Sequence, residues 1–375
     1  SLVDSQGPSG SGKTTLLNVL GGRALAGVTG DILMNNKPLS KGMKRIIAYV
    51  LQEDIFYMHL TVREQLTFTA QLRLPETMPE AQRMSQVEDV MKRLNIVKCQ
   101  NTPIMLVSGG EKKRVNIGTE LLTNPSVILL DEPTSGLDST TAAALVATLQ
   151  ELAQSGKTVI SSIHQPSSHV FYSFDKLFVL ADGHMVYNGT PRNCMPYLQA
   201  RGYAPPGDYN PADFLMDLVT SYDMFNEKFE VPPRQALIEA WDNAATLKEA
   251  EAAETALATL PSLADPDSNT KGRPTSYMTQ LKVLLQRSQK NASSQLFTKL
   301  NFVQCIGVSI ITGLMWFQMD NDETTVQDRS GFIFFFMTYW MMNACFSGMM
   351  AFPPERLILL KERASGSYQL SAFFL

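Results

Sequence analysis

The sequence has few cysteines, no excess of positive charge and no internal repeat. Each of these narrows the possibilities. Four cysteines in 375 residues, at 99, 194, 305 and 345, show no CxxC spacing and no small disulfide framework. They fit a reducing cytosolic domain combined with membrane helices. A formal net charge of −4 argues against a broad nucleic-acid footprint. No signal peptide is visible at the N-terminus. The length is enough for two domains.

Charge is missing altogether from two stretches. Leu300 to Met319 has 20 uncharged residues and Ser330 to Pro354 has 25. Twenty helical residues cover about 30 Å, the thickness of a bilayer core. Two such runs separated by ten residues are hard to place in a soluble core, so membrane helices are expected at about 300–319 and 330–354. Lys282, Arg287, Lys290 and Lys299 precede the first run, and Arg356, Lys361 and Arg363 follow the second. Between them lie Asp320, Asp322, Glu323 and Asp328 against Arg329 alone. The positive-inside rule then puts the large N-terminal part in the cytosol and the acidic loop 320–329 outside. Arg329 and Glu362 read as solvated charges at helix ends. An amphipathic helix around 278–298 is expected along the inner leaflet. The sequons at Asn188 and Asn291 fall on the cytosolic side and read as chance matches.

What is present begins with Gly7-Pro8-Ser9-Gly10-Ser11-Gly12-Lys13-Thr14, a complete phosphate-binding loop of the GxxxxGK[ST] form. Its glycines let consecutive N–H groups converge, and the helix opening at Thr15 aims its positive end at the same point. Lys13 reaches the outer phosphates, and the Thr14 hydroxyl is placed to ligate Mg2+. Farther on, Val127-Ile128-Leu129-Leu130-Asp131-Glu132 is an apolar strand ending in two acids. Asp131 is a candidate Mg2+ holder and Glu132 a candidate general base on the attacking water. Short buried strands alternate with helical patterns from residue 1 to about 220, which implies a mainly parallel sheet with helices on both faces. Residues 231–276 are Ala/Glu-rich, then Pro/Asp/Ser/Thr-rich. They suggest a surface helix from Leu237 to Leu260 and a flexible linker from Leu263 to Thr275.

A second anion-binding nest opens a predicted helix at Ser108-Gly109-Gly110. One nucleotide does not easily need two nests from one domain. The economical solution is two domains head to tail, each nest closing the other's site.

The stretch VSGGEKKR (107–114), followed by LLDEPTSGLDS and IHQPSS, resembles the ATP-binding cassette (ABC) family. More narrowly, the chain resembles the G subfamily, the white-type half-transporters. TTLLNVLGGR (14–23), LTVREQLTF (60–68), YNPADF (209–214) and KERASGSYQLSAF (361–373) carry that match. The resemblance implies an α/β P-loop ATPase (the ABC nucleotide-binding domain) over 1–230, a linker over 231–277, and an α-helical transmembrane domain beginning at 278, of which the first two helices are present. It implies ATP and Mg2+ as ligands, with Gly7 to Thr15 around the phosphates. It assigns Gln52 to Mg2+ or the attacking water and His164 to the γ-phosphate. Ser108, Gly109 and Gly110 take the γ-phosphate held by a partner chain, and the loop Ser135 to Asp138 couples the two sites. The implied partners are a second half-transporter, a lipid bilayer and a hydrophobic or lipid-like substrate, with no nucleic acid. The implied protein is a multi-pass membrane exporter with a cytosolic ATPase domain. Two alternatives remain open, a soluble ABC ATPase acting on nucleic acid or ribosomes and a catalytically silent fragment. The first is disfavoured by the hairpin at 300–354.

The chain also departs from the pattern. Asp4, Ser5 and Gln6 precede the phosphate loop, where a buried strand is expected to be apolar, and burying them is costly. Thr102 to Leu106 lacks the small, basic lead-in expected before the signature. Both ends look cut, since the chain opens six residues before the loop and stops in the apolar run Phe373-Phe374-Leu375. Gln304, Ser309, Thr312, Thr338 and Asn343 in the membrane runs either meet substrate or stitch helix to helix, the second being the commoner case.

Overall fold

The computed structural model describes residues 1–23, 26–35, 37–39, 46–205, 207, 209–220, 232–242, 274–296, 299–317 and 326–374. The N-terminal region contains β1 (Leu2–Gln6), α1 (Lys13–Leu20), β2 (Leu33–Met34), β3 (Lys37–Pro38), β4 (Ile47–Val50), α2 (Val62–Arg73), α3 (Glu80–Arg93), α4 (Gly109–Leu121), β5 (Val127–Asp131) and α5 (Ser139–Gln154). It continues through β6 (Thr158–Ser162), α6 (Ser168–Phe171), β7 (Lys176–Ala181), β8 (His184–Gly189), α7 (Pro191–Gln199) and α8 (Pro211–Val219). Six strands form one sheet in the order β4-β5-β6-β1-β7-β8, while β2 and β3 form a separate antiparallel pair. All pairings in the large sheet are parallel except β7 with β8. This is the α/β P-loop architecture expected from the sequence.

Local chemistry fixes the helix starts. Thr61 and Ser108 each build a capping box, with Glu64 and Glu111 reaching back to the cap N–H. Asp138 accepts from the Thr141 N–H and Asn210 from the Ala212 N–H, satisfying free donors at the starts of α5 and α8. The main core gathers Leu66, Val115, Ile128, Leu130, Leu149 and Val159 between the sheet and α2 to α5. A second core lies under β7 and β8, with Phe214 and Leu218 of α8.

The polar strand β1 forms and sits inside the sheet, with Asp4, Ser5 and Gln6 all buried. Local hydrogen bonds offset part of the cost. Gln6 Nε2 donates to Asp4 Oδ2 at 2.7 Å, and the Ile163 N–H donates to Asp4 Oδ1 at 3.2 Å.

The C-terminal region has α9 (Tyr277–Leu296), α10 (Lys299–Met315), α11 (Val326–Ala364) and α12 (Leu370–Phe374). It refines one expectation and corrects two. First, α9 is half-buried, with one side on the protein while Met278 and Leu285 stay exposed. Val283, Leu284 and Arg287 are buried, and α9 packs on α2 and α12. Second, the helix expected over 330–354 runs from Val326 to Ala364, 39 residues. The uncharged run ends at Pro354, but Pro353 and Pro354 lie inside the helix without ending it. At 1.5 Å per residue α11 is about 58 Å long, well beyond a bilayer core. Its far end buries Ile358 and Leu359 against the N-terminal region, next to Tyr57, Leu60 and Leu72. Third, Glu362 is not a solvated charge. It takes a two-pronged ion pair from Arg287 at 2.5 and 2.9 Å, and the Tyr368 hydroxyl donates to it at 2.7 Å.

Helix α10 spans 17 residues, about 26 Å, so among the described residues only α11 is long and apolar enough to cross a membrane. The two helices expose apolar side chains such as Ile306, Ile310, Phe334 and Met341. Gln304 Nε2 donates to Tyr339 Oη at 3.1 Å, and Trp316 packs edge-on against Phe332. Gln304 thus stitches helix to helix. Residues 318–325 of the acidic loop and 243–273 of the linker and surface helix lie outside the described residues.

Candidate functional site

The phosphate loop runs from β1 into α1. Gly7, Gly10 and Gly12 have φ of 149°, 82° and 100°, the region a side chain disfavours. A Cβ on Gly7 would lie 2.2 Å from the Leu180 carbonyl oxygen, so the loop closes tightly on β7. Pro8 is partly exposed, Ser9 exposed and Ser11 buried. Lys13 is buried, and its Nζ donates to the carbonyls of Gly7 at 2.7 Å and Pro8 at 2.9 Å. Burial lowers the Lys13 pKa, while Glu132, Asp131 and Asp4 pull it up. The ammonium is thus aimed into the loop, with carboxylates around it.

Thr14 and Asp131 are 117 positions apart in the chain, and the parallel sheet brings them together. Thr14 Oγ1 donates to Asp131 Oδ1 at 3.1 Å. Ser162 Oγ donates to the same oxygen at 2.9 Å and accepts from the Glu132 N–H at 2.9 Å. Ser162 pairs with Asp131 in the ladder, so one hydroxyl fixes both acids. Glu132 has φ 45°, an unusual conformation for a non-glycine residue, and its carboxylate Oε2 accepts from Gln52 Nε2 at 2.7 Å. A hydroxyl and a carboxylate oxygen side by side form the oxygen donor set that Mg2+ takes when phosphates and water complete its shell, so the residues fit that ion. His164 is exposed just beyond β6, followed by Gln165 at φ 46°.

The signature residues form a second group. Ser108 and Gly109 are exposed and Gly110 is buried at the start of α4. A Cβ on Gly110 would lie 2.4 Å from Thr141 Cγ2, and one on Gly109 would touch Leu137. The nest therefore rests on Leu137, in the loop that ends at Asp138, and on Thr141 in the first turn of α5. Thr15, like Thr14, is exposed at the start of α1.

Sequence reasoning missed several supports. Ser162 reads as an ordinary strand residue, and only the β5–β6 register reveals its part. Lys113, one turn into α4, donates to the Gln52 carbonyl and pairs with Asp54 at 3.5 Å. Asn116 Nδ2 donates to Asp54 Oδ1 at 3.0 Å, and its own Oδ1 accepts from Lys361 Nζ at 2.8 Å. Lys361 also donates to the Ile55 carbonyl at 3.1 Å. A polar path thus joins the end of α11 to the segment carrying Gln52. The charges at 361 and 362 are visible in the sequence, but their partners lie up to 306 positions away.

The family model "ABC transporter" matches residues 4–135, and two models described as "ABC-2 type transporter" match 279–375 and 164–241. ABC transporter G family member 21 of Arabidopsis thaliana is 39% identical, covering 100% of this chain and 59% of its own length. Protein white of Drosophila melanogaster is 36% identical, covering 100% of this chain and 56% of its own. The broad substrate specificity ATP-binding cassette transporter ABCG2 of Mus musculus is 34% identical, covering 98% and 60% respectively. The chain thus spans about three fifths of the length of the curated relatives it matches. Both halves of the match, the ATPase region and the membrane region, follow one another here in a single chain. The chain belongs to the G subfamily of ABC transporters, membrane proteins whose family couples ATP hydrolysis to transmembrane transport.

Proposed function

We propose that this chain forms the ATPase domain and the start of the membrane domain of a half-transporter that dimerises and exports hydrophobic or lipid-like compounds. The ATPase domain occupies 1–230, the linker 231–277, and the membrane domain begins at 278. The single observation carrying this reading is the convergence of Thr14–Asp131 and Gln52–Glu132, two hydrogen bonds at 3.1 and 2.7 Å. They join residues from three separate segments at the mouth of the phosphate loop.

Main-chain N–H groups of the loop from Gly7 to Thr15, Pro8 excepted, and the Lys13 ammonium bind the ATP phosphates, and α1 adds the field of its N-terminus. Thr14 and Asp131 would hold Mg2+, with Gln52 near it. When bound, that ion neutralises charge on the phosphate oxygens. Glu132 takes a proton from the attacking water, and Gln52 orients that water. His164 hydrogen-bonds the γ-phosphate. Ser108, Gly109 and Gly110 meet the γ-phosphate held by a second copy or a related half-transporter, and Asp138 lies in the loop between the two sites. The basic flanks of the membrane run support a cytosolic ATPase domain in a multi-pass protein. The mouse relative is named for broad substrate specificity, which supports a cargo chosen by fit more than by a specific polar contact.

The test is Glu132→Gln in the intact transporter. The variant is expected to bind and retain ATP while turnover falls by about a hundredfold or more. Wild-type turnover in the purified variant dimer would overturn the general-base assignment.

A further inference from the structure

Resting on the ATPase reading above, we propose that Asp4 is a positioning residue for the nucleotide site, its buried carboxylate tying the strand that opens the phosphate loop to the main chain directly before His164. The geometry is specific. Asp4 Oδ1 accepts from the Ile163 N–H at 3.2 Å, and Asp4 Oδ2 accepts from Gln6 Nε2 at 2.7 Å. Ile163 immediately precedes His164, and Gln6 immediately precedes Gly7. One carboxylate therefore touches the entries to both the γ-phosphate histidine and the phosphate loop. It does so from an inner strand, completely buried.

An aliphatic residue would fill this place more cheaply. A second observation marks the cluster as unsettled in its present form. Gln6 Oε1 is buried without a hydrogen-bond partner, as are the hydroxyls of Ser5 and of Ser161, the residue paired with Asp4 across the ladder. A protonated Asp4 would donate to Gln6 Oε1 once the amide turns over, so the pair has two hydrogen-bonded arrangements. Burial pushes the Asp4 pKa from 3.8 up to about 7, against the hydrogen bonds from Gln6, Ile163 and Ser5 and the charge of Lys13. The two arrangements therefore exchange near neutral pH.

The charged surroundings are sparse. Lys13 is the cation that acts on Asp4. On β6 no ionisable group occurs before His164, which is exposed. On β7 the ionisable side chain is Lys176, exposed at the strand start, beside Asp175, which accepts from the Leu2 N–H. On α5 it is Glu151, also exposed. In the ionised form the Ile163 N–H and Gln6 amide are held by charge-assisted bonds. In the protonated form these weaken, and the approach to His164 loosens.

Two measurements on the intact transporter test this. The first is the pH profile of kcat and KM for ATP from pH 6 to 9, in wild type, Asp4→Asn and Asp4→Leu. Wild-type kcat is expected to fall about threefold to tenfold as Asp4 protonates, the range for weakening one hydrogen bond as its acceptor passes from charged to neutral. Asp4→Asn is expected to lose that inflection, with KM within about twofold of wild type. The second is amide exchange across residues 158–166, which needs no turnover. Faster exchange across 158–166 in Asp4→Leu, measured relative to strand β5 in the same variant so that a change in overall stability cancels, supports the tether. An unchanged exchange pattern in Asp4→Leu, or a wild-type inflection retained in Asp4→Asn, overturns it. Absence of ATP hydrolysis in wild type would count against the ATPase reading, and the exchange data would still decide the tether.

Discussion

The nucleotide site and the junction between α9, α11 and the ATPase region are both built from charged and polar side chains, but they treat those charges in opposite ways. At the site, Gln52, Thr14 and His164 are exposed and Glu132 is only half-buried. At the junction, Arg287 has 2% of its side chain exposed and Glu362 14%. Arg287 also lies over the Tyr57 ring at 4.6 Å. Gln52, Thr14, Glu132 and His164 are left reachable at the mouth of the site, whereas Lys13 and Asp131 lie buried beneath them, each bonded twice. Groups that only hold two regions together are dried out and bonded several times over. The junction is thus held by several bonds at once where the mouth of the site is held by few, an arrangement that fits the proposed transmission of a change at the ATP site into a membrane helix.

The sharpest way to break the comparison is to make isosteric changes on both sides. Glu132→Gln removes chemistry and little packing. Its expected cost is about a hundredfold or more in turnover, with stability within about 0.5 kcal/mol of wild type. Glu362→Gln at the junction leaves the Arg287 guanidinium buried without its counter-charge, and loss of one partner of such a pair typically costs about 3–5 kcal/mol. Denaturant midpoints together with ATPase assays separate the two. If Glu362→Gln unfolds no more easily than Glu132→Gln, the junction is not held by its charge pair.

Asp4 falls between the two classes, buried like the junction yet bonded into the site, so its stability should depend on pH. Its pKa rises from 3.8 in the unfolded chain to about 7 on folding. The native state therefore holds this proton more tightly, so the contribution of Asp4 to stability is greatest below pH 3.8 and is lost as pH rises through 7. About three pH units correspond to about 4 kcal/mol lost to Asp4 ionisation by pH 8. Asp4→Asn should be more stable than wild type at pH 8, and the difference should shrink towards pH 4. Parallel stability curves for the two proteins would show that the carboxylate is already relieved in the folded state.

The sequence makes the chemistry of the site legible because its residues lie in short contiguous runs. The phosphate loop, the Asp131-Glu132 pair and the nest at 108–110 each fit within eight residues, where backbone geometry alone determines what the side chains can do. The residues that were hidden depend on register or distance. Ser162 acts only because β6 pairs with β5 residue for residue. The burial of Asp4 follows from β1 lying between β6 and β7, which no local pattern reveals in so polar a strand. The length of α11 was hidden for a different reason. The change from uncharged to charged residues at Pro354 marks where the apolar run ends, and the helix carries on past it because docking on the ATPase region rewards Ile358 and Leu359.

The same local device occurs once in each region, which gives the finest comparison. Thr61 caps α2 with Glu64, whose other oxygen pairs with Lys290 of α9 at 3.2 Å. Ser108 caps α4 with Glu111. Both hydroxyls accept from the N–H three residues on, at 3.2 and 3.3 Å, so replacing either by alanine should cost about 1 kcal/mol of stability. Their functional effects should differ. Thr61 is half-buried under the junction, and Thr61→Ala should leave ATP turnover within about twofold once stability is matched. Ser108 is exposed on the proposed nest, so its hydroxyl has a second task, and Ser108→Ala should lower turnover about tenfold, the equivalent of one phosphate hydrogen bond. Equal stability losses with unequal activity losses would separate a cap that only begins a helix from one that also faces a nucleotide. Equal activity losses would mean that the Ser108 hydroxyl does no more than start α4.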